Sequence, residues 1–167
     1  VQISMQFEGA GFASDSGGKD GLASFTMGMM DEGAGQLGAL AFADRAESLG
    51  AIISTGGSLD TSSVSLSALK ENLNDSLSLY TSVLLNPRFD QAEIDRVRAS
   101  WIAQIKQEKA VPTGIGGRTL RKQVYGSGHP YAVPSSGLGE ESSIATLTRA
   151  DMQTWHTQFI RPDNATI

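Results

Sequence analysis

The chain has 167 residues and a formal net charge of −5 at pH 7, from 13 lysines and arginines against 18 aspartates and glutamates. Its length is that of one ordinary domain, and a hydrophobic share of 40% with a charged share of 19% is typical of a globular rather than a disordered chain. The acidic balance argues against a nucleic-acid partner, no apolar run approaches the roughly 20 residues that a membrane-spanning helix needs, and the lack of cysteine excludes disulfides, thiol catalysis and cysteine-based zinc sites.

The N-terminal half is predicted to contain a strand, two helices and two further strands. Apolar and polar residues alternate strictly at the start, which is typical of a half-buried strand, and a Gly/Ser/Asp-rich loop follows. Apolar residues at helical spacing then predict two helices, and glycines at 33 and 50 end them. The predicted elements are a strand at 1–8, a helix from 22 to the stop at 33, a helix at 39–49, and strands at 51–55 and about 62–69, joined through Gly56 and Gly57.

The C-terminal half is predicted to be mostly helical. Leucines and a tyrosine at steps of three and four predict the strongest helix, which Pro87 ends. Thr148 with Asp151 three positions later has the pattern of a capping box. The predicted elements are helices at 69–84, about 90–109, 112–124 and 149–160, a loop at 126–144, and a strand that begins at 164.

This order predicts an α+β domain, with helices on one face of a largely antiparallel sheet. The first strand starts at residue 1 and the last has only begun at residue 167. We therefore expect a single domain over residues 1–167 that is a fragment of a longer polypeptide.

Three motifs have weak functional interpretations. Residues 33–38 match G-x-G-x-x-G, but a helix precedes them where a dinucleotide site needs a strand, so an inter-helix turn is favoured. His156 falls on an apolar helix face and is predicted to be structural. His129 lies in a loop before a proline and is predicted to orient that loop. One alternative stays open for this histidine, namely an active hydrolase that uses His129 with Glu140 or Glu141.

Short motifs that extend over nearly the whole chain carry a more specific signal. They are Gly21-Leu22-Ala23, Asp31-Glu32-Gly33, Leu49-Gly50-Ala51, Asn86-Pro87-Arg88-Phe89, Glu93-x-x-Arg96-x-Arg98, Tyr125-Gly126-x-x-His129-Pro130-Tyr131, Leu147-Thr148 and Pro162-Asp163-Asn164-Ala165. In this order and spacing they resemble peptidase family M16, the zinc metallopeptidases of the pitrilysin, insulin-degrading enzyme and mitochondrial processing peptidase group.

The resemblance implies where a zinc site would lie. In the active enzymes the helix that opens with Gly-Leu-Ala carries H-x-x-E-H, whose two histidines bind Zn²⁺ and whose glutamate accepts a proton from the zinc-bound water. In this chain those three positions are Ser24, Met27 and Gly28, and the distal glutamate ligand is replaced by Gln104. A supporting acid is replaced by Val97. A neutral hydroxyl, a thioether, a glycine and an amide make poor zinc ligands, so the resemblance implies no metal, no cofactor and no catalytic residue in this chain.

The resemblance also implies a role for a chain without the motif. M16 proteins are built from repeated domains, of which one carries zinc and others form the opposite wall of a chamber around an unfolded peptide. We therefore expect a non-catalytic domain that packs against an active M16 domain of the same polypeptide or of a partner subunit, where the zinc is held. A structural module without peptide contact stays an alternative. The expected location is the periplasm or outside the cell, with the cytoplasm as the alternative.

Overall fold

The computed structural model describes all 167 residues as one sheet with helices packed on it, and a small hairpin. The strands are β1 (Gln2–Glu8), β2 (Gly33–Ala34), β3 (Leu37–Gly38), β4 (Ile52–Gly57), β5 (Thr61–Ser67) and β6 (Ala165–Thr166). The helices are α1 (Leu22–Met29), α2 (Ala39–Leu49), α3 (Leu73–Leu85), α4 (Gln91–Ala110), α5 (Pro112–Tyr125), α6 (Glu141–Ile144) and α7 (Arg149–Phe159). No helix is both long enough and apolar enough to cross a membrane.

The main sheet is antiparallel throughout, in the order β4-β5-β1-β6. Met5 of β1 lies opposite Val64 of β5, and Thr55 of β4 lies opposite the same valine. Because side chains alternate between the faces of a strand, these residues share the face that the helices cover. The predicted fold class is confirmed, and so is the short C-terminal strand, which pairs with β1.

α1 lies at the centre of the core. Six of its eight residues are buried, and it contacts β4, α4 and α7. Phe25, Met27 and Met29 are completely excluded from solvent. A helix that is apolar on all sides is stable only when it is surrounded by protein, which is the position α1 occupies.

The structure differs from the sequence prediction at residues 33–38, which form the β2–β3 hairpin rather than a plain turn. Gly33 has a φ of 111°, in the region that favours glycine, and its carbonyl accepts a hydrogen bond from the Arg88 N–H at 3.0 Å. Ala34 forms an isolated bridge with Pro87. Two-residue strands have no alternation to detect, and these are held by contacts with a segment fifty residues away.

Three smaller corrections concern element ends. Gly56 and Gly57 belong to β4, and the turn follows them at 58–60. The third long helix begins at Leu73 rather than at Leu69, whose side chain is half exposed. A short helix, α6, lies within the stretch predicted as a loop.

Candidate functional site

The start of α1 is held by a side chain from the preceding loop. The carboxylate of Asp15 accepts hydrogen bonds from the N–H groups of Gly21 at 2.7 Å and Ala23 at 3.0 Å. These N–H groups have no partner within the helix, so Asp15 satisfies them as a capping residue does. The sequence pattern does not reveal this role of Asp15, because it stands six residues before Gly21 rather than at the usual cap position.

Burial raises the pKa of Asp15 to about 7, and this outweighs the backbone N–H groups that favour the carboxylate. In the unfolded chain the pKa is near 3.8. Between these values the native state holds a proton that the unfolded state lacks, so the free energy of unfolding falls as pH rises and levels off above about pH 7. We expect a loss of about 2 to 3 kcal/mol between about pH 5 and pH 8. Urea unfolding at both values measures it.

The variant Asp15→Asn isolates this contribution, since it removes the titration at that site. The difference in free energy of unfolding between wild type and Asp15→Asn should change with pH, whereas the difference for Ser100→Ala, an exposed control that removes no titrating group, should stay constant. Parallel curves for wild type and Asp15→Asn would contradict the assignment.

The predicted motif positions differ in their surroundings. Ser24 and Gly28 are four residues apart on α1, so they lie on one face, and both are partly buried. Met27 is fully buried in the core. Gln104 on α4 is exposed. The position that the resemblance assigns to the general base, Met27, is therefore part of the hydrophobic interior.

Trp101 occupies the space beside Gly28. A Cβ atom added to Gly28 would lie 3.2 Å from Cζ3 of the indole, closer than carbon atoms normally approach. The indole is fixed on two sides, by an edge-to-face contact with Phe25 (ring centroids 5.4 Å apart) and by a hydrogen bond from Nε1 to the Leu138 carbonyl at 3.0 Å. A histidine at position 28 therefore requires Trp101 to move.

A loop covers the same side of α1 near Ser24. We call residues 134–140 the covering loop. A Cβ atom on Gly137, which has a φ of 71°, would lie 2.6 Å from the Phe12 ring and 2.8 Å from Ser24 Oγ. A Cβ atom on Gly139 would lie even closer to the backbone carbonyl of Asp20. The loop can approach α1 this closely only because these two positions lack side chains.

Arg118 of α5 fastens the covering loop to the helices. Its side chain is only 6% exposed, and it forms ion pairs with Glu108 of α4 and Glu140, each at 2.9 Å. Nη2 also donates to the Gly139 carbonyl at 2.6 Å. One buried guanidinium thus connects α4, α5 and the loop, a role that the sequence pattern did not reveal.

These surroundings do not fit zinc. The motif helix offers a hydroxyl, a buried thioether and a glycine, and no three histidine, cysteine, aspartate or glutamate side chains of this chain are grouped as metal ligands. Val97, in place of the supporting acid, is buried and apolar. The residues present therefore give no step of the metallopeptidase reaction.

The alternative site around His129 is not assembled for acid–base chemistry. His129 and Glu140 line one cleft of about 650 Å³, but no hydrogen bond joins them. His129 Nδ1 accepts from the Tyr131 N–H at 3.0 Å, while Glu140 is paired with Arg118 and, at 3.2 Å, with Lys109. Glu141 also pairs with Lys109. His129 therefore orders its own loop, as predicted.

His156 is partly buried, as predicted for a histidine with a structural role. Its Nε2 lies 2.8 Å from the Leu84 carbonyl, and burial lowers its pKa. It connects α7 to the end of α3.

Comparison with known sequences identifies the family. The profile of the insulinase family (peptidase family M16) matches residues 3–127, well over half of the chain. The chain belongs to peptidase family M16. The predicted resemblance is confirmed.

One curated relative and one solved structure are similar to most of this chain. A protein from Helicobacter pylori described as non-peptidase homolog YmxG is 25% identical over 151 residues, which are 90% of this chain and 34% of that protein. A crystal structure described as a peptidase M16 inactive domain from Pseudomonas fluorescens is 28% identical with a TM-score of 0.91, and the match covers 98% of this chain and 39% of that one. The prediction that this chain is a non-catalytic M16 domain is confirmed by them.

More distant structures show the fold alone. A protease from H. pylori has a TM-score of 0.84 at 19% identity, covering 98% of this chain and 39% of that one. The periplasmic protease PqqL from Escherichia coli has a TM-score of 0.81 at 17% identity, covering 99% of this chain and 19% of that one. This chain therefore corresponds to one domain-sized part, well under half, of each of these two chains.

Proposed function

We propose that this chain forms part of the wall of a chamber that encloses an unfolded peptide, and that it packs against an active M16 domain of the same polypeptide or of a partner subunit. The observation that carries the proposal is the packing of Trp101 and the covering loop against the degenerate motif helix. This chain keeps the family fold although side chains fill the face where the motif would lie. We therefore infer that the fold serves binding and assembly.

β4 is the strand that we propose for peptide contact. It pairs with β5 on one side only, so its other edge presents free backbone N–H and C=O groups. An extended peptide can add to such an edge through main-chain hydrogen bonds, which do not depend on its sequence. Ile52, 66% exposed, supplies apolar contact at the start of the edge. Sequence-independent pairing suits a protein that accepts unfolded peptides.

Photocrosslinking in the complete protein tests this contact. A benzophenone amino acid at Ser54 of β4 should form an adduct with a labelled, unfolded casein peptide, and the same group at Ser48 of α2 should not. Both serines are exposed. Equal or absent adduct formation at the two positions would favour a structural module without peptide contact.

The zinc of such an assembly is proposed to lie outside this chain. We expect the purified chain to contain far less than one zinc per molecule by elemental analysis, because the motif positions offer no suitable donors. It should also leave unfolded casein intact, with or without a chelator. One tightly bound zinc per chain, lost when Gln104 or His129 is mutated, would contradict this prediction, and hydrolysis by the isolated chain would favour the alternative site near His129.

A periplasmic location is proposed, with secretion or the cytoplasm as alternatives. The support is the fold shared with a protease described as periplasmic. Cell fractionation of the complete protein in its own host tests the location.

A further inference from the structure

A cleft of about 560 Å³ lies beside α7, away from the degenerate motif helix. One wall is the turn at 85–90 together with Gly35 of the β2–β3 hairpin, and the other wall is α7 itself. No residue of α1 lines it. Its volume falls within the range of about 300–1,000 Å³ that is usual for ligand-binding clefts. We call it the α7 cleft.

The turn that forms one wall of the α7 cleft is held in an unusual conformation. Phe89 is the one residue other than glycine with a positive φ, at 49°, and its side chain is only 1% exposed. Hydrogen bonds to the hairpin fix the turn from both ends, from the Gly35 N–H to the Asn86 carbonyl at 2.9 Å and from the Arg88 N–H to the Gly33 carbonyl at 3.0 Å. Such conformations persist only where the surroundings hold them, and they are common at binding sites.

Arg149 places an unpaired positive charge at the α7 cleft. Its Nη2 donates to the Arg88 carbonyl at 2.9 Å, which orients the guanidinium, and no carboxylate of this chain pairs with it. The Arg88 side chain, in contrast, is held by Asp90 through two hydrogen bonds of 2.7 and 3.3 Å. Two arginines and one aspartate leave the cleft with one excess positive charge. That charge matches a monoanion such as a carboxylate, which a guanidinium binds through two parallel hydrogen bonds.

His156 places a hydrogen-bond acceptor further along the same cleft. It follows Arg149 by seven residues, so the two side chains share one face of α7 about 10 Å apart along the helix axis. A carbonyl can only accept, so the Nε2 that lies 2.8 Å from the Leu84 carbonyl carries the proton and leaves Nδ1 as the acceptor. Nδ1 has no partner within this chain. Because burial lowers the pKa of His156, the ring is neutral at pH 7.

A cation and an acceptor at this separation match the end of a polypeptide. The terminal carboxylate can bind Arg149, and a backbone N–H further back can donate to His156 Nδ1. An extended chain rises about 3.3 Å per residue, so its last three residues span the distance between the two side chains. Leu85, 65% exposed at the cleft, can contact an apolar side chain of the peptide.

We propose that the α7 cleft binds the C-terminal end of an unfolded peptide, with Arg149 on its carboxylate, His156 on a backbone N–H and Leu85 on an apolar side chain. The inference rests on the proposed peptide binding and adds to it a contact with the peptide terminus. Every unmodified polypeptide ends in a carboxylate, so this contact, like main-chain pairing at β4, does not depend on an exact sequence.

Fluorescence anisotropy with the complete protein tests the proposal. The probe is an unfolded, fluorescein-labelled decapeptide that ends in leucine, prepared with a free C-terminal carboxylate or with a C-terminal amide. We expect the carboxylate form to bind about tenfold more tightly, and Arg149→Gln to abolish this preference without changing the affinity for the amide. Arg45→Gln on α2, at an exposed arginine outside the cleft, is the matched control and should keep the preference.

Three results would overturn the proposal. Equal affinity of the wild type for the two peptides means that the carboxylate is not recognised. A preference that survives Arg149→Gln means that it is recognised elsewhere in the protein. An amidated peptide that ends in glutamate and binds as tightly as the free carboxylate form means that the cleft accepts acidic side chains and does not select a terminus.

Two further measurements test the other contacts. Leu85→Ser should weaken binding of the peptide that ends in leucine several-fold and leave a peptide that ends in glycine unaffected, whereas Leu40→Ser, at a 77% exposed leucine outside the cleft, should change neither. N-methylation of one of the last three peptide bonds should weaken binding several-fold, because it removes the N–H that donates to His156. Unchanged affinity for all three methylated peptides contradicts the role of His156.

The same preparations separate this inference from the proposed function. A peptide adduct at Ser54 together with equal binding of the carboxylate and amide peptides would leave the proposed function standing and refute the α7 cleft alone. The absence of both the adduct and the carboxylate preference would refute peptide binding by this chain altogether.

Discussion

The variant Met27→Glu, which restores the general base of the M16 motif, should destabilise the chain by about 4 kcal/mol or more. The Met27 side chain is completely excluded from solvent among the apolar residues of the core. A carboxylate there loses its hydration and gains no cation. The carboxyl group will therefore take up a proton, and its pKa will rise well above the ordinary glutamate value. Urea unfolding at neutral pH measures the loss.

Two control variants separate the effect of the carboxylate charge on stability from the effect of the side-chain shape. Met27→Leu keeps the position apolar and should cost less than about 1.5 kcal/mol. Met27→Gln has the shape of glutamate without its charge, and its free energy of unfolding should not follow the pH dependence of Met27→Glu. Because the raised pKa favours the protonated form in the native state, Met27→Glu should lose stability as pH rises above the pKa of an unfolded glutamate. A variant as stable as wild type at neutral pH would show that position 27 reaches solvent.

The degenerate site therefore cannot be repaired by the four motif substitutions alone. A histidine at 28 meets the indole of Trp101, and a histidine at 24 meets the covering loop at Gly137. The indole and the loop are themselves joined through the hydrogen bond from Trp101 to Leu138. The loss of zinc ligands is thus matched by packing that occupies the space they would need.

The parts of the fold that sequence predicted well are those set by local periodicity or capping. The strand at β1 and the helices α2 and α4 were predicted within one or two residues, because alternation and helical spacing repeat several times within each. The capping box of α7 was also predicted, and both of its hydrogen bonds are present between Thr148 and Asp151. Each of these signals comes from residues within or directly next to the element that it predicts.

The features that sequence missed depend on contacts between distant segments. The β2–β3 hairpin is held by hydrogen bonds to the residues after α3, and the covering loop is held by a side chain of α5. The resemblance predicts that the zinc ligands are replaced, but it does not predict that Trp101 fills the space beside Gly28. A helical pattern shows only that Trp101 faces inward, and it does not show which residue Trp101 meets.

The variant Arg118→Met should destabilise the chain by about 2 to 3 kcal/mol. Removing one partner of a buried ion pair typically costs about 3 to 5 kcal/mol. The loss is smaller here because the Glu108 and Glu140 side chains are 25% and 43% exposed and can recover part of their hydration. The Gly139 carbonyl also loses its donor. Urea unfolding of both proteins measures the difference.

A double-mutant cycle separates the ion pair from the rest of the loss. In the background of Glu140→Gln, Arg118→Met should cost about 1 kcal/mol less than it does in the wild type. The reason is that residue 140 then carries no negative charge that loses its partner. Arg118→Lys keeps the charge but cannot reach two carboxylates and a carbonyl together, so it should recover only part of the stability.

A second measurement shows whether Arg118 acts through the covering loop. Without Arg118 the loop is freer to leave α1, and the hydrogen bond from the indole of Trp101 to Leu138 should open more often. We therefore expect the Trp101 N–H to exchange with solvent faster in Arg118→Met than in a variant that lowers stability elsewhere, such as Val83→Ala in α3. Equal exchange in two variants of equal stability would show that Arg118 stabilises the domain as a whole and does not specifically hold the loop against the motif helix.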